Sequence, residues 1–149
     1  MKITFHDSTR SLTPRLKAAV SRAALHAFSI IPRSKKKPHS VLSISILGKK
    51  KMQELNYQFR KKNYPTDVLS FPRNSKDFIT PFHEIGDILI CLPVAKKQAT
   101  QYQGTLKEEL ERLTVHGLLH LHGYDHELNK KEAKKMFRLQ EKILNSLPD

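Results

Sequence analysis

Hydrophobic and polar positions alternate most cleanly at Val41-Leu42-Ser43-Ile44-Ser45-Ile46-Leu47, a period of two that predicts a half-buried strand closed by Gly48. Residues 2–6 read as an earlier strand. Between the two, Leu16, Val20, Ala23 and Ala27 recur at helical spacing behind Thr13-Pro14, an N-cap followed by a proline at the first helical position. A helix over 14–29 is predicted, with a small-residue contact face, then an exposed loop from Pro32. Met52, Leu55, Asn56 and Phe59 predict a short helix ending near Phe59. Pro65 to Pro72 reads as a short strand bounded by prolines. Residues 73–84 are polar and irregular, the pattern of a mobile loop. The run Ile85 to Leu92 is apolar enough for a strand buried on both faces, and Pro93 opens a helix to about Tyr102.

Two further helices complete the pattern. Thr105 and Glu108 form a T-x-x-E capping box ahead of Leu106, Leu110, Leu113 and Gly117, with Leu118 and Leu121 beside them. Asn129 and Glu132 make a second box ahead of Ala133, Met136, Phe137, Gln140, Ile143, Leu144 and Leu147. With no internal repeat and no linker, the prediction is an α+β fold. It is a single domain over residues 1–149, with a four-stranded mixed sheet and about five helices.

The helix after Thr105 also carries chemistry. His116 and His120 are four residues apart, Gly123 lies three beyond, and His126 three beyond that. Side chains at i and i+4 share one helix face, roughly 5–6 Å apart at Cβ. Both imidazoles can then reach one ion at about 2.0–2.1 Å. A third ligand on the same helix falls a turn too far along the axis, so the chain must leave the helix. Gly123 allows this, because glycine enters the left-handed region without steric penalty. His126 then returns to the ion from the side. Three nitrogens leave a fourth tetrahedral position open, the mark of a catalytic zinc site. His122 is out of phase with the ligands and reads as a bystander.

Composition narrows the partner. The 149 residues are enough for one sizeable core. No apolar run approaches the ~20 residues of a membrane span, the start of the chain lacks a signal-peptide core, and Cys91 is the only cysteine. A cytoplasmic location is expected. Lys and Arg outnumber Asp and Glu by 27 to 14, a net charge of +13. The excess recurs in clusters such as Lys35-Lys36-Lys37, Lys49-Lys50-Lys51 and Arg60-Lys61-Lys62. It favours a polyanionic partner, most simply nucleic acid.

The spacing H-x-x-x-H-x-x-G-x-x-H matches the zinc helix of metzincin proteases, with one difference. Those proteases place a glutamate general base directly after the first histidine; here that position is Gly117. The metal site persists while peptidase chemistry loses its base. Metal coordination lowers the pKa of water to about 7, and an arginine can hydrogen-bond a phosphate as charge builds in the transition state. Arg60, ahead of Asn63-Tyr64-Pro65-Thr66-Asp67, is one candidate for that cation, though spacing alone does not place it near the ion. Asp67 and Asp87 read as structural residues, Tyr124 as packing and Met136 as core. Asp125 either orients a histidine or braces the helix exit.

The motif from His116 through Gly123-Tyr124-Asp125 to His126 resembles the signature of the YbeY family of bacterial rRNA maturation factors, single-strand-specific endoribonucleases. The likeness extends to Leu55-Asn56 with Arg60, to Pro65 through Pro72, and to Gly86-Asp87-Ile88, in the family's order over roughly residues 40–145. The resemblance implies one zinc ion on His116, His120 and His126, and a functional arginine at Arg60. It further implies a role in maturing the 3′ end of small-subunit (16S) ribosomal RNA and in ribosome quality control. The rival reading is a ribosome-associated assembly factor whose zinc is mainly structural.

Overall fold

The computed structural model describes residues 1–32, 35–73 and 81–149. Among the described residues nine elements follow in order: β1 (Lys2–Asp7), α1 (Pro14–Ile30), β2 (Ser40–Leu47), α2 (Lys49–Arg60), β3 (Val68–Pro72), β4 (His83–Cys91), α3 (Leu92–Gln101), α4 (Leu106–Leu121) and α5 (Lys130–Asn145). The four strands form one mixed sheet in the order β1-β2-β4-β3. The first three run parallel, and β3 joins the edge antiparallel to β4. The expected α+β architecture is the observed one.

The boundaries that differ most from the sequence reading are those of α2, β3 and β4. Helix α2 starts at Lys49 rather than Met52, since Gly48 takes the extended N-cap conformation and three lysines propagate the helix toward Met52. Strand β3 begins at Val68, not Pro65. The Asp67 carboxylate accepts from its own neighbour Val68 N–H at 2.7 Å, and the Asp67 carbonyl accepts from Cys91 N–H at 2.8 Å. Strand β4 begins two residues early, at His83. Of the loop expected over 73–84, residues 74–80 lie outside the described residues.

Alternation along the strands divides the core. Leu42, Ile44, Ile46, Ile88 and Ile90 point to one face and pack with α1, α4 and α5. Leu47, Leu69 and Cys91 point to the other, under Met52 and Leu55 of α2. Strand β4 is therefore covered on both faces, as its apolar run from Ile88 predicts. Among the described residues no helix is long and apolar enough to cross a membrane.

Helix α4 is the central element, in contact with α1, α3, α5, β3 and β4. Its capping box is complete. Thr105 Oγ1 accepts from Glu108 N–H at 3.2 Å, and Glu108 accepts from Thr105 N–H at 2.7 Å. Only half of the second box forms: Asn129 accepts from Glu132 N–H at 2.8 Å without the return bond. Leu110, Leu113, Leu118 and Leu119 are fully buried, each contributing about 1.5–3 kcal/mol. Two carboxylates on this buried helix are matched by cations about a turn away. Glu109 binds Arg112 at 2.6 Å, and Glu111 binds Lys107 at 2.9 Å.

Two glycines let α4 sit against the sheet. A side chain at Gly117 would meet Ile88 Cγ2 and Ser70 Oγ at 3.0 Å. Gly86 has φ +146, and a Cβ there would run into the Phe71 carbonyl oxygen and Leu121 of α4. It follows a bulge where Val41 pairs with Glu84 and Leu42 with Gly86, skipping Ile85. Gly86→Ala is therefore expected to destabilise the fold by roughly 3 kcal/mol or more, read as a fall in the thermal or denaturant midpoint against the wild type.

Candidate metal centre

Helix α4 ends at Leu121 in a Schellman turn. Gly123 takes φ +87, its N–H bonds the His120 carbonyl at 3.0 Å, and Tyr124 N–H bonds the Leu119 carbonyl at 3.1 Å. Tyr124 and Leu119 are both buried, which seals the turn. The chain then doubles back and brings His126 to the two helix histidines. Asp125 accepts from Glu127 N–H at 2.8 Å, so it braces this exit. His122 bonds the Leu118 carbonyl through Nδ1 at 2.8 Å and meets Phe28 edge-on, outside the cluster.

The three expected ligands converge. His120 Nε2 lies 3.1 Å from His116 Nε2 and 3.1 Å from His126 Nδ1, and all three ligand atoms fall within 4.8 Å of one another. Nitrogens held by a tetrahedral zinc at about 2.0–2.1 Å sit roughly 3.3–3.4 Å apart, so the spacing suits one ion. Among the described residues no cysteine, aspartate or glutamate joins the group.

Proton bookkeeping gives an independent test of that fit. His116 Nδ1 donates to Gln140 Oε1 at 2.8 Å, which leaves Nε2 a bare lone pair. His120 Nε2 has one in-plane position, holding either a proton or a lone pair, yet it faces two nitrogens. One proton satisfies only one of those contacts; a cation among the three satisfies both. Burial reinforces the neutral state. It pushes the His116 pKa down to about 4, helped by the neighbouring histidines and Arg112 and opposed by Gln140. Burial, then the charge of His126, also lowers His120. Neutral imidazole is the form that binds metal.

The cluster lies in a cleft of about 870 Å³ that Arg60, Ser70, Arg112, Phe59 and Phe137 also line. Arg60 is the last residue of α2. Lys61 follows in the left-handed conformation, and buried Asn56 donates to the Tyr64 carbonyl at 2.8 Å, folding the next loop back. The Arg60 guanidinium reaches Glu127 at 3.7 Å, which places it beside the His126 turn. Arg112, one turn before His116, is engaged by Glu109 through two bonds of 2.6 and 3.0 Å and lies 3.8 Å from Asp67. Asp87 pairs with Arg73 at 3.0 Å, and Met136 is core. The position after the first histidine faces the sheet: Ser70 Oγ donates to the Gly117 carbonyl at 3.3 Å, and no room remains there for a carboxylate.

Gln140 is the residue that sequence reasoning passed over. Its signal was an amide on the buried stripe of α5 between Met136 and Ile143, all three buried. Such outer partners of metal-bound histidines typically govern affinity by 10–100-fold. Gln140→Leu is expected to weaken zinc binding by about that factor with the fold intact, read by chelator competition. In metal-free protein the lowered His116 pKa predicts an acid-sensitive fold. The unfolded ring takes a proton near 6.5 and the folded ring only near 4, so stability is present above 6.5 and is lost as pH falls toward 4. Thermal melts across that window check it.

A family model described as endoribonuclease YbeY matches residues 2–148. The endoribonuclease YbeY of Sulfurihydrogenibium sp. is 47% identical over 106 residues, covering 71% of this chain and 69% of that protein. Its counterpart in Buchnera aphidicola is 41% identical over 113 residues, covering 76% and 72%. The solution structure of TM1509 from Thermotoga maritima superposes with a TM-score of 0.59 at 28% identity, over 97% of this chain and 88% of that one. A match over nearly every residue, with the three histidines gathered where the motif requires, makes this chain a member of the YbeY family.

Proposed function

We propose that this chain is a zinc-dependent endoribonuclease that cuts single-stranded RNA. It acts in the cytoplasm in 16S rRNA 3′-end maturation and ribosome quality control, with the small ribosomal subunit as its partner. Residues 1–149 work as a single YbeY-like metallohydrolase domain. The observation that carries the reading is the sharing of one cleft by three converging histidine nitrogens and Arg60, in a chain of net charge +13. His116, His120 and His126 hold the ion. Three neutral nitrogen donors suit zinc. When bound, the ion supplies Lewis acidity toward an oxygen in its open position.

The chain's own groups do the rest. Gln140 fixes the His116 tautomer so that Nε2 faces the cleft. Of the two arginines that line the cleft among the described residues, Arg60 is the freer to take a phosphate, since Arg112 is clasped by Glu109. Its contact with Glu127 is long, and the two side chains are 37% and 67% exposed, a pairing worth at most about 1 kcal/mol. A substrate phosphate displaces it, and the guanidinium then binds two phosphate oxygens as the transition state gains charge. Gly117, pressed against Ile88 and Ser70, puts no carboxylate at the position where a metzincin peptidase carries its base.

The alternative, a ribosome-associated assembly factor with a mainly structural zinc, draws on the same histidines, because His126 ties the turn after α4 back to the helix. Arg60 separates the two readings. Under the nuclease reading Arg60→Ala keeps its zinc and its fold while cleavage of a single-stranded oligoribonucleotide falls roughly 10²–10³-fold, and His116→Ala loses both metal and cleavage. Undiminished cutting by Arg60→Ala or by zinc-stripped protein contradicts it.

A further inference from the structure

Two aromatic rings border the metal cleft from different helices, and each is left open to solvent. Phe137 of α5 is 43% exposed and Phe59 of α2 is 56% exposed, and both line the cleft that holds the histidines. Phe137 lies nearly parallel to the His116 ring, 6.3 Å between centroids at 30°, and 5.5 Å from His126. Phe59 leans on Phe71 at 4.9 Å and immediately precedes Arg60. One side of each ring is thus braced by a fixed neighbour while much of its surface stays exposed.

The surroundings favour one kind of occupant. Lys134 and Arg138 flank Phe137 on α5, and Arg60, Lys61 and Lys62 follow Phe59; all are exposed. Single exposed rings on separate helices, set among cations, do not make the continuous apolar patch that a protein partner covers. They match instead the pattern of proteins that hold single strands, where bases stack on aromatic faces and cations track the backbone. Resting on the nuclease reading above, we propose that Phe137 and Phe59 are nucleobase platforms: one unpaired base stacks on Phe137 beside the metal and another on Phe59, with the phosphate between them on Arg60. A duplex keeps its bases stacked on one another and has no free face to offer, so the same two rings make the site selective for single strands.

The test uses full-length zinc-loaded protein as wild type, Phe137→Ala, Phe137→Tyr and Phe59→Ala. Each is given a single-stranded oligoribonucleotide, and the same strand with an abasic residue on either side of the cut. Phe137→Ala is expected to retain its zinc, to raise KM by roughly 5- to 100-fold and to change kcat less. Phe137→Tyr, which keeps the ring, recovers most of the affinity, and Phe59→Ala raises KM in the same direction. Wild type and Phe137→Ala converge on the strand whose abasic residue falls at Phe137, because the stacking partner of that ring is then missing, and stay apart on the strand whose abasic residue falls at Phe59. An unchanged KM in Phe137→Ala, in a preparation whose wild type cuts normally, overturns the platforms and leaves the nuclease standing. Loss of zinc in proportion to lost activity also overturns the proposal, since Phe137 then serves only to brace the ligands. A zinc-loaded wild type that cuts no RNA fails the nuclease reading itself, and this proposal with it.

Discussion

Three imidazole nitrogens crowded into a space that no arrangement of protons satisfies is the constraint around which this molecule is built. His116 gives its one proton to Gln140, and His120 Nε2 is left facing two partners at 3.1 Å. Burial holds His116 neutral down to about pH 4, so charging that ring is not the way out at neutral pH. A cation shared among them is. The cost of assembling such a cluster is met by the packing of the helix beneath it.

That packing explains why the histidines sit where they do. Helix α4 touches five other elements, and its leucines fill the main core. Gly117 lets it settle against Ile88 and Ser70, which sets its height over the sheet and turns His116 and His120 toward the cleft. The Schellman turn at Gly123 then fixes the direction in which His126 returns. On the other face α2 packs over Leu47, Leu69 and Cys91 and ends at Arg60, so the cation and the three histidines reach one cleft from separate clusters. The arrangement resembles a metzincin helix in its spacing, but the residue that carries a protease's base is buried against a strand.

Much of this was readable from residues alone because it is local. The i, i+4 histidines, the turn glycine and the Thr105 capping box are each decided within a few residues, and all appear as expected. The alternation in β2 and the apolar run from Ile88 in β4 set one strand half-buried and the other covered on both faces. What escaped was non-local. Arg60 was named as a candidate, but not its place: it is 56 residues before His116 in the chain, and only the close of α2 by Lys61 and the Asn56–Tyr64 bond brings it to the cleft. Gln140 lies on another helix, and an amide within an apolar stripe does not name its partner. Strand β3 was expected three residues too long, because the Asp67 turn interrupts an otherwise strand-like sequence.

Zinc-edge X-ray absorption on the metal-loaded protein tests the central claim most directly. One zinc per chain bound by three imidazoles at about 2.0–2.1 Å, with a single oxygen that exchanges when a phosphate analogue is added, is the result expected. A fourth protein ligand closing the ion, or a spectrum with fewer than three imidazoles, would contradict it.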